Sequence, residues 1–311
     1  MSQSRTVDVA VVEAANREQG VWDAVELLAD LGNPFEGKHV VLKPNFNSED
    51  EFPGSTHNEM LEILIGLLQE MKASEITIAD RSGGGRITAD VLRAKGIPGL
   101  AEDMGVHLVA TDRLPASEWV KVGLLDSHWT RGIEVPKLFR NAEALLQTCC
   151  LKTHQFGGGF TMSLKNAVGI VAKTSVIDGY DYMKELHASP YQQEMIAEIN
   201  LAYQPDLIVM DALEAFIRGG PATGERAYPR LVVASTDRVA VDAVGVAILR
   251  QYDTTPDVAR GPIFELLQIR HAAELGLGVT SVDQIRLVSG HDLGSRQTVR
   301  RLDQLLRSGA E

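Results

Sequence analysis

Two lysines and a histidine lie within one polar segment that follows an apolar run, at residues 151–171 (LKTHQFGGGFTMSLKNAVGIV). Lys152 and His154 are two positions apart, so both side chains face the same side of an extended strand. Histidine titrates close to neutral pH, and a lysine near other cations or apolar walls loses its proton more readily. We therefore predict that Lys152 and His154 form an acid–base pair, with Lys165 as an anchor or a second base.

Further polar and glycine residues follow several apolar runs, and their types suit the binding of an anion. Glycines tolerate positive φ and let the backbone approach a ligand, so glycine-rich loops beside cations can form an anion site. Neither glycine-rich loop has the spacing of a P-loop or of a dinucleotide-binding fingerprint. The alternative is that these glycines only make turns. The residues predicted to bind a small carboxylate or phosphate are Lys43, Asn45, Ser82, Gly83, Gly84, Arg86, Gly157, Gly158, Gly159, Ser163 and Asn166.

Carboxylates at two predicted strand ends also permit a site for a divalent metal ion. Asp80 and Asp211 close the apolar runs EITIAD and LIVMD, where a carboxylate binds a metal, orients a catalytic group or caps a loop. Asp237 is instead expected to cap the helix that follows it. The predicted metal ligands are His154, Asp80, Asp211 and His187. Five other histidines have no cluster around them in the sequence and are expected at the surface: His39, His107, His128, His271 and His291.

The apolar runs that precede these residues alternate with segments of helical spacing. Runs such as VDVAVVEA, HVVLKPNF, EITIADRS, ALLQTCCLK and DLIVMDAL are continuous, which is typical of strands buried on both faces of a parallel sheet. The sequence therefore predicts an α/β fold with a mostly parallel sheet and flanking helices. Ligands of such sheets bind at the carboxyl ends of the strands, where the polar residues above are found.

The sequence permits two divisions of the chain into domains. We predict two intertwined or adjacent α/β subdomains, at residues 1–150 and 151–311, and a single domain over residues 7–290 is the alternative. The segment 113–140 is less regular and is expected to form an excursion or a small antiparallel piece.

Composition excludes several classes of partner. The 311 residues carry a formal net charge of −12, which argues against nucleic acid and anionic membranes as partners. The N-terminal segment lacks the pattern of a signal peptide, and no apolar run reaches the roughly 18 residues needed to cross a bilayer, so we expect a cytoplasmic protein. The cysteines Cys149 and Cys150 are adjacent, so we expect two buried thiols and no iron–sulfur cluster.

Several of these motifs, in one order, resemble the DUF362 family. The motifs are VVLKPNF, EITIADRSGG, LKTHQFGGGFTMSLKNAVGIV, AEINLAYQPDLIVMDALEAFIRGGPATGE and STDRVAVDAVGVAIL, and the similarity runs from about residue 7 to about residue 290. Many members of that family carry a ferredoxin-like cluster domain. This chain has no cysteines for one, so the resemblance does not imply electron transfer here.

A second, weaker resemblance is to the nickel-dependent lactate racemase family. His154, Phe156, the three glycines that follow, Ser163 and Lys165 are similar in order to a motif of that family. The resemblance implies that His154 is an acid–base catalyst and that Lys165 anchors a nickel pincer cofactor. The histidine-to-lysine spacing is longer by one residue, and His187 is the nearby candidate for the nickel ligand.

Three functions remain open at this point. The first is an enzyme that moves a proton on a small anionic substrate, as an isomerase or racemase. The second is a binding protein that holds an anion or a cofactor without turnover. The third is a metal-dependent hydrolase or lyase.

Overall fold

The structure is a computed structural model that describes residues 6–28, 31–157, 159–291 and 293–308. The strands are β1 (Val7–Glu13), β2 (His39–Lys43), β3 (Glu75–Asp80), β4 (His107–Ala110), β5 (Trp119–Val122), β6 (Ile133–Pro136), β7 (Ala144–His154), β8 (Gly159–Thr161), β9 (Leu207–Gly219), β10 (Gly224–Ala227), β11 (Leu231–Ser235) and β12 (Ile285–Val288). The helices are α1 (Arg17–Glu26), α2 (Asn58–Glu70), α3 (Thr88–Ala94), α4 (Ile97–Asp103), α5 (Lys137–Arg140), α6 (Ser163–Asn166), α7 (Tyr182–Ala188), α8 (Gln192–Ile199), α9 (Arg238–Leu249), α10 (Pro256–Ala259), α11 (Leu267–Glu274) and α12 (Leu293–Arg307).

One large sheet organises the molecule, with the strand order β12-β1-β11-β9-β7-β2-β3-β4. The pairings β12-β1, β9-β7, β7-β2, β2-β3 and β3-β4 are parallel, whereas β11 is antiparallel to both of its neighbours. Strands β8 and β10 form short hairpins on the ends of β7 and β9. The predicted α/β fold with a mostly parallel sheet and flanking helices is confirmed.

Burial of the sheet on both faces explains the continuous apolar runs. Along β1, Val9 and Val11 pack into the core that includes α9, whereas Ala10 and Val12 pack into the core that includes α1 and α2. Because successive side chains of a strand point to opposite faces, every position of such a strand must be apolar when helices cover both faces.

The parallel arrangement brings four strand ends to one edge of the sheet. Lys43 of β2 pairs with Gln147 of β7, and β7 in turn runs parallel to β9. The loops that follow β2, β3, β7 and β9 therefore lie beside one another, as expected for an open parallel sheet.

The two predicted halves of the chain share this sheet. Strand β7 runs through residue 150, and β1 from the N-terminal half pairs with β11 and β12 from the C-terminal half. The division into residues 1–150 and 151–311 stays a prediction. The expected antiparallel piece within residues 113–140 is confirmed, since β5 and β6 form a separate two-stranded sheet.

Strand β9 extends beyond the apolar run DLIVMDAL. It continues through residues 214–219 to Gly219 and pairs with β10. The reason is hydrophobic burial: Ala215, Phe216 and Ile217 are buried, so this stretch contributes to the core while its backbone pairs in the hairpin.

Other expectations concern single residues and whole helices. Cys149 and Cys150 are both buried and free, as expected, and burial raises the pKa of the Cys150 thiol to about 11. Asp237 caps α9 as predicted, since its side chain accepts a hydrogen bond from the Ala240 N–H.

Across the described residues, none of the helices combines the length and the apolar character needed to cross a lipid bilayer.

Candidate functional site

A cavity of about 420 Å³ opens where the carboxyl ends of β2, β3 and β7 meet. Helices α7 and α8 supply the facing wall through residues such as Met183 and Gln192. We call it the strand-end cavity, and the residues that define its floor and chemistry are Asn45, Asp80, Arg81, Lys152, His154 and Lys165.

Lys152 is a buried cation at the base of the strand-end cavity. Its side chain is 1% exposed, and its ammonium donates hydrogen bonds to Asn45 Oδ1 at 3.1 Å and to the Gly54 carbonyl. No carboxylate of the described residues forms an ion pair with it. Burial lowers the pKa of Lys152, because a charge out of contact with water loses its solvation energy. Such a lysine favours an anion close to it.

The turn that follows β7 fixes the protonation state of His154. The backbone N–H of Phe156 donates to His154 Nδ1 at 3.1 Å, so a neutral ring carries its proton on Nε2. Burial, with the nearby charges of Lys165 and Lys152, lowers the pKa of His154 to about 2. At neutral pH the ring is therefore uncharged and presents an N–H donor.

Lys165 lies on α6 and reaches back to the same turn. Its Nζ donates to the Gly157 carbonyl at 2.8 Å. Burial, followed by repulsion from Lys152, lowers the pKa of Lys165 to about 7. An amine with that pKa is partly neutral at physiological pH, so it can accept a proton as well as carry a charge.

A carboxylate from α9 holds the helix that carries Lys165. Asp242 accepts hydrogen bonds from the backbone N–H groups of Ser163 at 2.7 Å and Leu164 at 3.1 Å. These are the first N–H groups of α6, which have no partner within the helix. Burial raises the pKa of Asp242 to about 7. Asp242 was not among the residues predicted from the sequence, since it lies about 80 positions from the helix it caps.

A chain of polar contacts runs beneath the cavity. Lys43 Nζ donates to Asp80 Oδ1 at 2.6 Å and to Asn166 Oδ1 at 3.1 Å. Asn45 Nδ2 donates to the same oxygen of Asn166 at 3.2 Å, and Asn45 Oδ1 accepts from Lys152. The network therefore fixes both amides that face the cavity, and the charge of Lys43 is balanced by Asp80.

Arg81 also belongs to the site, although only Ser82 and Arg86 of this loop's cationic and hydroxyl residues were predicted from the sequence. The buried Arg81 guanidinium donates to the carbonyls of Ser82 and Val168, and its Nε has no hydrogen-bond partner. It forms no ion pair among the described residues, and burial lowers its pKa to about 10. Its position directly after Asp80, at a strand end, was the available signal.

The predicted anion-binding residues divide into two groups. Asn45, Gly83, Gly84, Arg86 and Asn166 line the strand-end cavity, although Arg86 also pairs with Glu49 at 2.9 Å. The others do not line it, because Lys43 pairs with Asp80 below the floor, Ser82 Oγ donates to the Phe46 carbonyl, and Ser163 Oγ accepts from Gln147. Gly159 belongs to β8, Gly157 holds Lys165 through its carbonyl, and Gly158 lies outside the described residues.

The four predicted metal ligands are not brought together. His154, Asp80 and His187 line the cavity, but both Asp80 oxygens are already engaged, by Lys43 and by the backbone N–H groups of Phe46 and Arg81. Asp211 lies elsewhere, and its Oδ2 accepts from Arg17 Nε at 2.7 Å. Within the described residues these four do not form a set of ligand atoms close enough to share an ion.

Two histidines expected at the surface are instead clustered. His128 and His271 both contact the buried carboxylate of Glu198, so the expectation that they have no cluster was wrong. The three residues are far apart in sequence, and packing of helices α8 and α11 brings two of them together.

Comparison with known proteins gives one family and several similar structures. The family described as "Domain of unknown function (DUF362)" matches residues 40–247, inside the range predicted from the motifs. No curated protein matches the chain. Similar solved structures include the lactate racemase apoprotein from Thermoanaerobacterium thermosaccharolyticum, at 18% identity and a TM-score of 0.42 over 67% of this chain and 50% of that chain.

A second similar structure is a protein from Thermotoga maritima solved by the Northeast Structural Genomics Consortium. It shares 18% identity and a TM-score of 0.43 over 64% of this chain and 51% of that chain. The chain thus spans about half the length of each of these two structures.

Proposed function

We propose that this chain, which belongs to the DUF362 family, binds a small carboxylate in the strand-end cavity and moves a proton on its α-carbon, as an isomerase or racemase does. The observation that carries the proposal is the grouping of Lys152, His154 and Lys165 at one cavity, where burial lowers the pKa of each side chain.

The anion is assigned to the two buried cations. Lys152 and Arg81 both line the cavity, and among the described residues neither has a carboxylate within ion-pair distance. A buried cation is costly when it is unpaired, and a ligand carboxylate removes that cost on binding. The planar guanidinium of Arg81 and the compact ammonium of Lys152 both suit a carboxylate.

Lys165 is assigned the role of base. With a pKa of about 7, its amine has a free electron pair in a large part of the molecules at neutral pH. A lysine with its ordinary pKa would be almost wholly protonated there and could not accept a proton.

His154 is assigned the role of hydrogen-bond donor. Its pKa of about 2 excludes an imidazolium at neutral pH, so it acts through the neutral Nε2–H group. A donor held in a fixed position stabilises negative charge that develops on a neighbouring oxygen. This differs from the acid–base role predicted for His154, because a ring with that pKa does not take up a proton at neutral pH.

These roles combine into one proton-transfer step. The electron pair of Lys165 Nζ takes the proton from the α-carbon, and the electrons of the broken C–H bond pass into the carboxylate to give an enediolate. Lys152 and Arg81 balance the added charge, and the His154 Nε2–H donates to an enediolate oxygen. Return of a proton from the Lys165 ammonium to the same face of the carbon restores the substrate, with exchange of that proton against solvent, whereas inversion requires a proton delivered to the opposite face. A carboxylate is preferred to a phosphate, because phosphate does not accept those electrons.

The histidines of the strand-end cavity do not fit the nickel cofactor that the lactate racemase resemblance implies. In the described part of the cavity wall the histidines are His154 and His187, and His187 Nδ1 lies 2.6 Å from the Met183 carbonyl. His154 Nδ1 is occupied by the Phe156 N–H, and among the described residues no histidine, cysteine or carboxylate completes a set of three ligand atoms with these two histidines. We derive no step through a nickel centre.

Hydrogen exchange at the α-carbon tests the proposal directly. Wild-type protein is incubated in D₂O with L-lactate, L-malate and L-tartrate, and loss of the α-proton signal is followed by proton NMR, with calorimetry to measure binding. We expect exchange for at least one of these acids. Binding without exchange would leave an anion-binding protein, and the absence of both would overturn the carboxylate assignment.

The pH dependence separates a base from an anchor. The folded pKa of Lys165 is lowered to about 7, so the amine is protonated below that pH and neutral above it. If Lys165 is the base, kcat/KM rises with pH, reaches half of its maximum near pH 7 and then levels off. If Lys165 only anchors the anion, binding weakens over the same range. Between pH 5.5 and 9, kcat/KM rises with pH if Lys165 is the base and falls with pH if Lys165 only anchors the anion. A kcat/KM that falls with pH therefore contradicts the assignment.

A further inference from the structure

We propose that His128, Glu198 and His271 form a binding site for one divalent transition-metal ion such as Zn²⁺, separate from the strand-end cavity. The ligand atoms of these three residues all lie within 4.8 Å of one another. Two imidazole nitrogens and one carboxylate oxygen are a donor set that zinc accepts in proteins.

The distances agree with ligation after a small adjustment. His128 Nδ1 lies 2.6 Å and His271 Nε2 lies 3.2 Å from the same oxygen, Glu198 Oε1. Zinc binds such atoms at about 2.0–2.2 Å, which places neighbouring ligands of a tetrahedral ion roughly 3.3 Å apart. The contact to His271 already has that length, and the contact to His128 must open by less than about 1 Å.

The surroundings of the cluster match those of a metal site. Glu198 is 1% exposed, whereas His128 and His271 are 30% and 17% exposed, so one side is open to a water ligand. His271 Nδ1 lies 3.5 Å from Glu274, and a carboxylate behind a ligating histidine orients the ring. The ring of Tyr191 stacks on His128 at 4.4 Å between centroids and holds its plane. The buried carboxylate of Glu198 therefore has two imidazole nitrogens beside it, each on a ring that a neighbour holds in place.

The position of the site suggests a structural ion. His128 lies between β5 and β6, whereas Glu198 belongs to α8 and His271 to α11, so one ion would join three separate parts of the chain. None of the three lines the strand-end cavity, but Gln192 and Ile196 of α8 do. Bound metal would thus stiffen one wall of the cavity without contacting the ligand.

Zinc binding by the full chain tests this site. The protein is stripped with a chelator, and Zn²⁺ alone is titrated by calorimetry, with thermal unfolding measured in parallel. We expect one ion per chain, a rise in Tm on adding Zn²⁺, and an affinity at least tenfold weaker in His128→Asn and in His271→Gln. Absence of saturable binding in the wild type overturns the proposal.

A matched control guards against loose binding at the surface. His107 and Glu75 form an exposed histidine–carboxylate pair at 3.1 Å, and no third ligand joins them in the part of the chain that the structure describes. His107→Asn is therefore expected to bind Zn²⁺ as the wild type does. Equal loss in this variant and in His128→Asn would contradict the site. Because both site variants alter partly exposed side chains, circular dichroism confirms that each is folded, and a Co²⁺ absorption spectrum that persists in both would also overturn the proposal.

Discussion

Replacement of Lys165 with arginine is expected to abolish α-proton exchange while keeping the anion bound. Arginine keeps a positive charge at every working pH, so it preserves the attraction to a carboxylate but has no free electron pair to take a proton. Loss of a positioned base typically lowers the rate by about 10²–10⁴-fold. We expect kcat/KM for exchange to fall by that amount, and the dissociation constant measured by calorimetry to change by less than about tenfold.

Two comparisons make this result specific. Lys184 is exposed on α7 and does not line the cavity, so Lys184→Arg is the matched control and is expected to exchange at the wild-type rate. Lys165→Met should lose exchange and also bind the anion more weakly at pH 6, where the wild-type amine is charged. Exchange that survives in Lys165→Arg would remove Lys165 from the base role.

Replacement of Asp80 with asparagine is expected to destabilise the protein strongly. Lys43 and Asp80 are buried at 0% and 2% exposure and are joined at 2.6 Å, so the change leaves the lysine charge without a counter-ion. In the wild type, the backbone N–H groups of Phe46 and Arg81 each donate to one of the two Asp80 oxygens. The asparagine side chain has one oxygen only, so its NH₂ group would face one of these N–H donors. Breaking a buried ion pair from one side costs about 3–5 kcal/mol, and we expect the free energy of unfolding in urea to fall by that amount.

The double variant separates the charge effect from a general loss of packing. Lys43→Met combined with Asp80→Asn removes both charges and should recover part of the loss, since no lone charge remains buried. Asp90→Asn breaks the exposed pair with Arg93 and is expected to change the unfolding free energy little. If Asp80→Asn unfolds at the same urea concentration as the wild type, Asp80 is free for another role, such as metal binding.

The fold and the place of the site follow from local patterns in the chain. Two-sided burial requires continuous apolar strands, so β2, β3 and β7 were recognisable, and parallel strands bring their following loops to one edge. The polar residues of those loops, including Lys152, His154 and Lys165, were therefore predicted beside one another. The helices α3, α4, α5, α7 and α10 have four to seven residues each and were not predicted, because short elements carry too few residues for a clear periodicity. The 15-residue α12 was not predicted either.

Roles within the site depend on contacts between residues far apart in sequence. In the sequence, Asp80 and Asp211 are both carboxylates at the end of an apolar run. In the structure, Asp80 forms an ion pair with Lys43, whereas Asp211 forms one with Arg17. No spacing rule reveals such a partner, since ion pairing depends on which side chains packing brings within about 4 Å.

Contacts between residues far apart in sequence also determine the pKa values of the site and the formation of the histidine cluster. Residue type establishes that His154 and Lys165 can titrate, but burial and neighbouring charges set their pKa values to about 2 and about 7. His128 and Glu198, 70 positions apart, meet because α8 packs against the segment between β5 and β6. The chain order encodes which groups are present and which strand end each follows, whereas desolvation and long-range contacts arise from packing and set what each group can do.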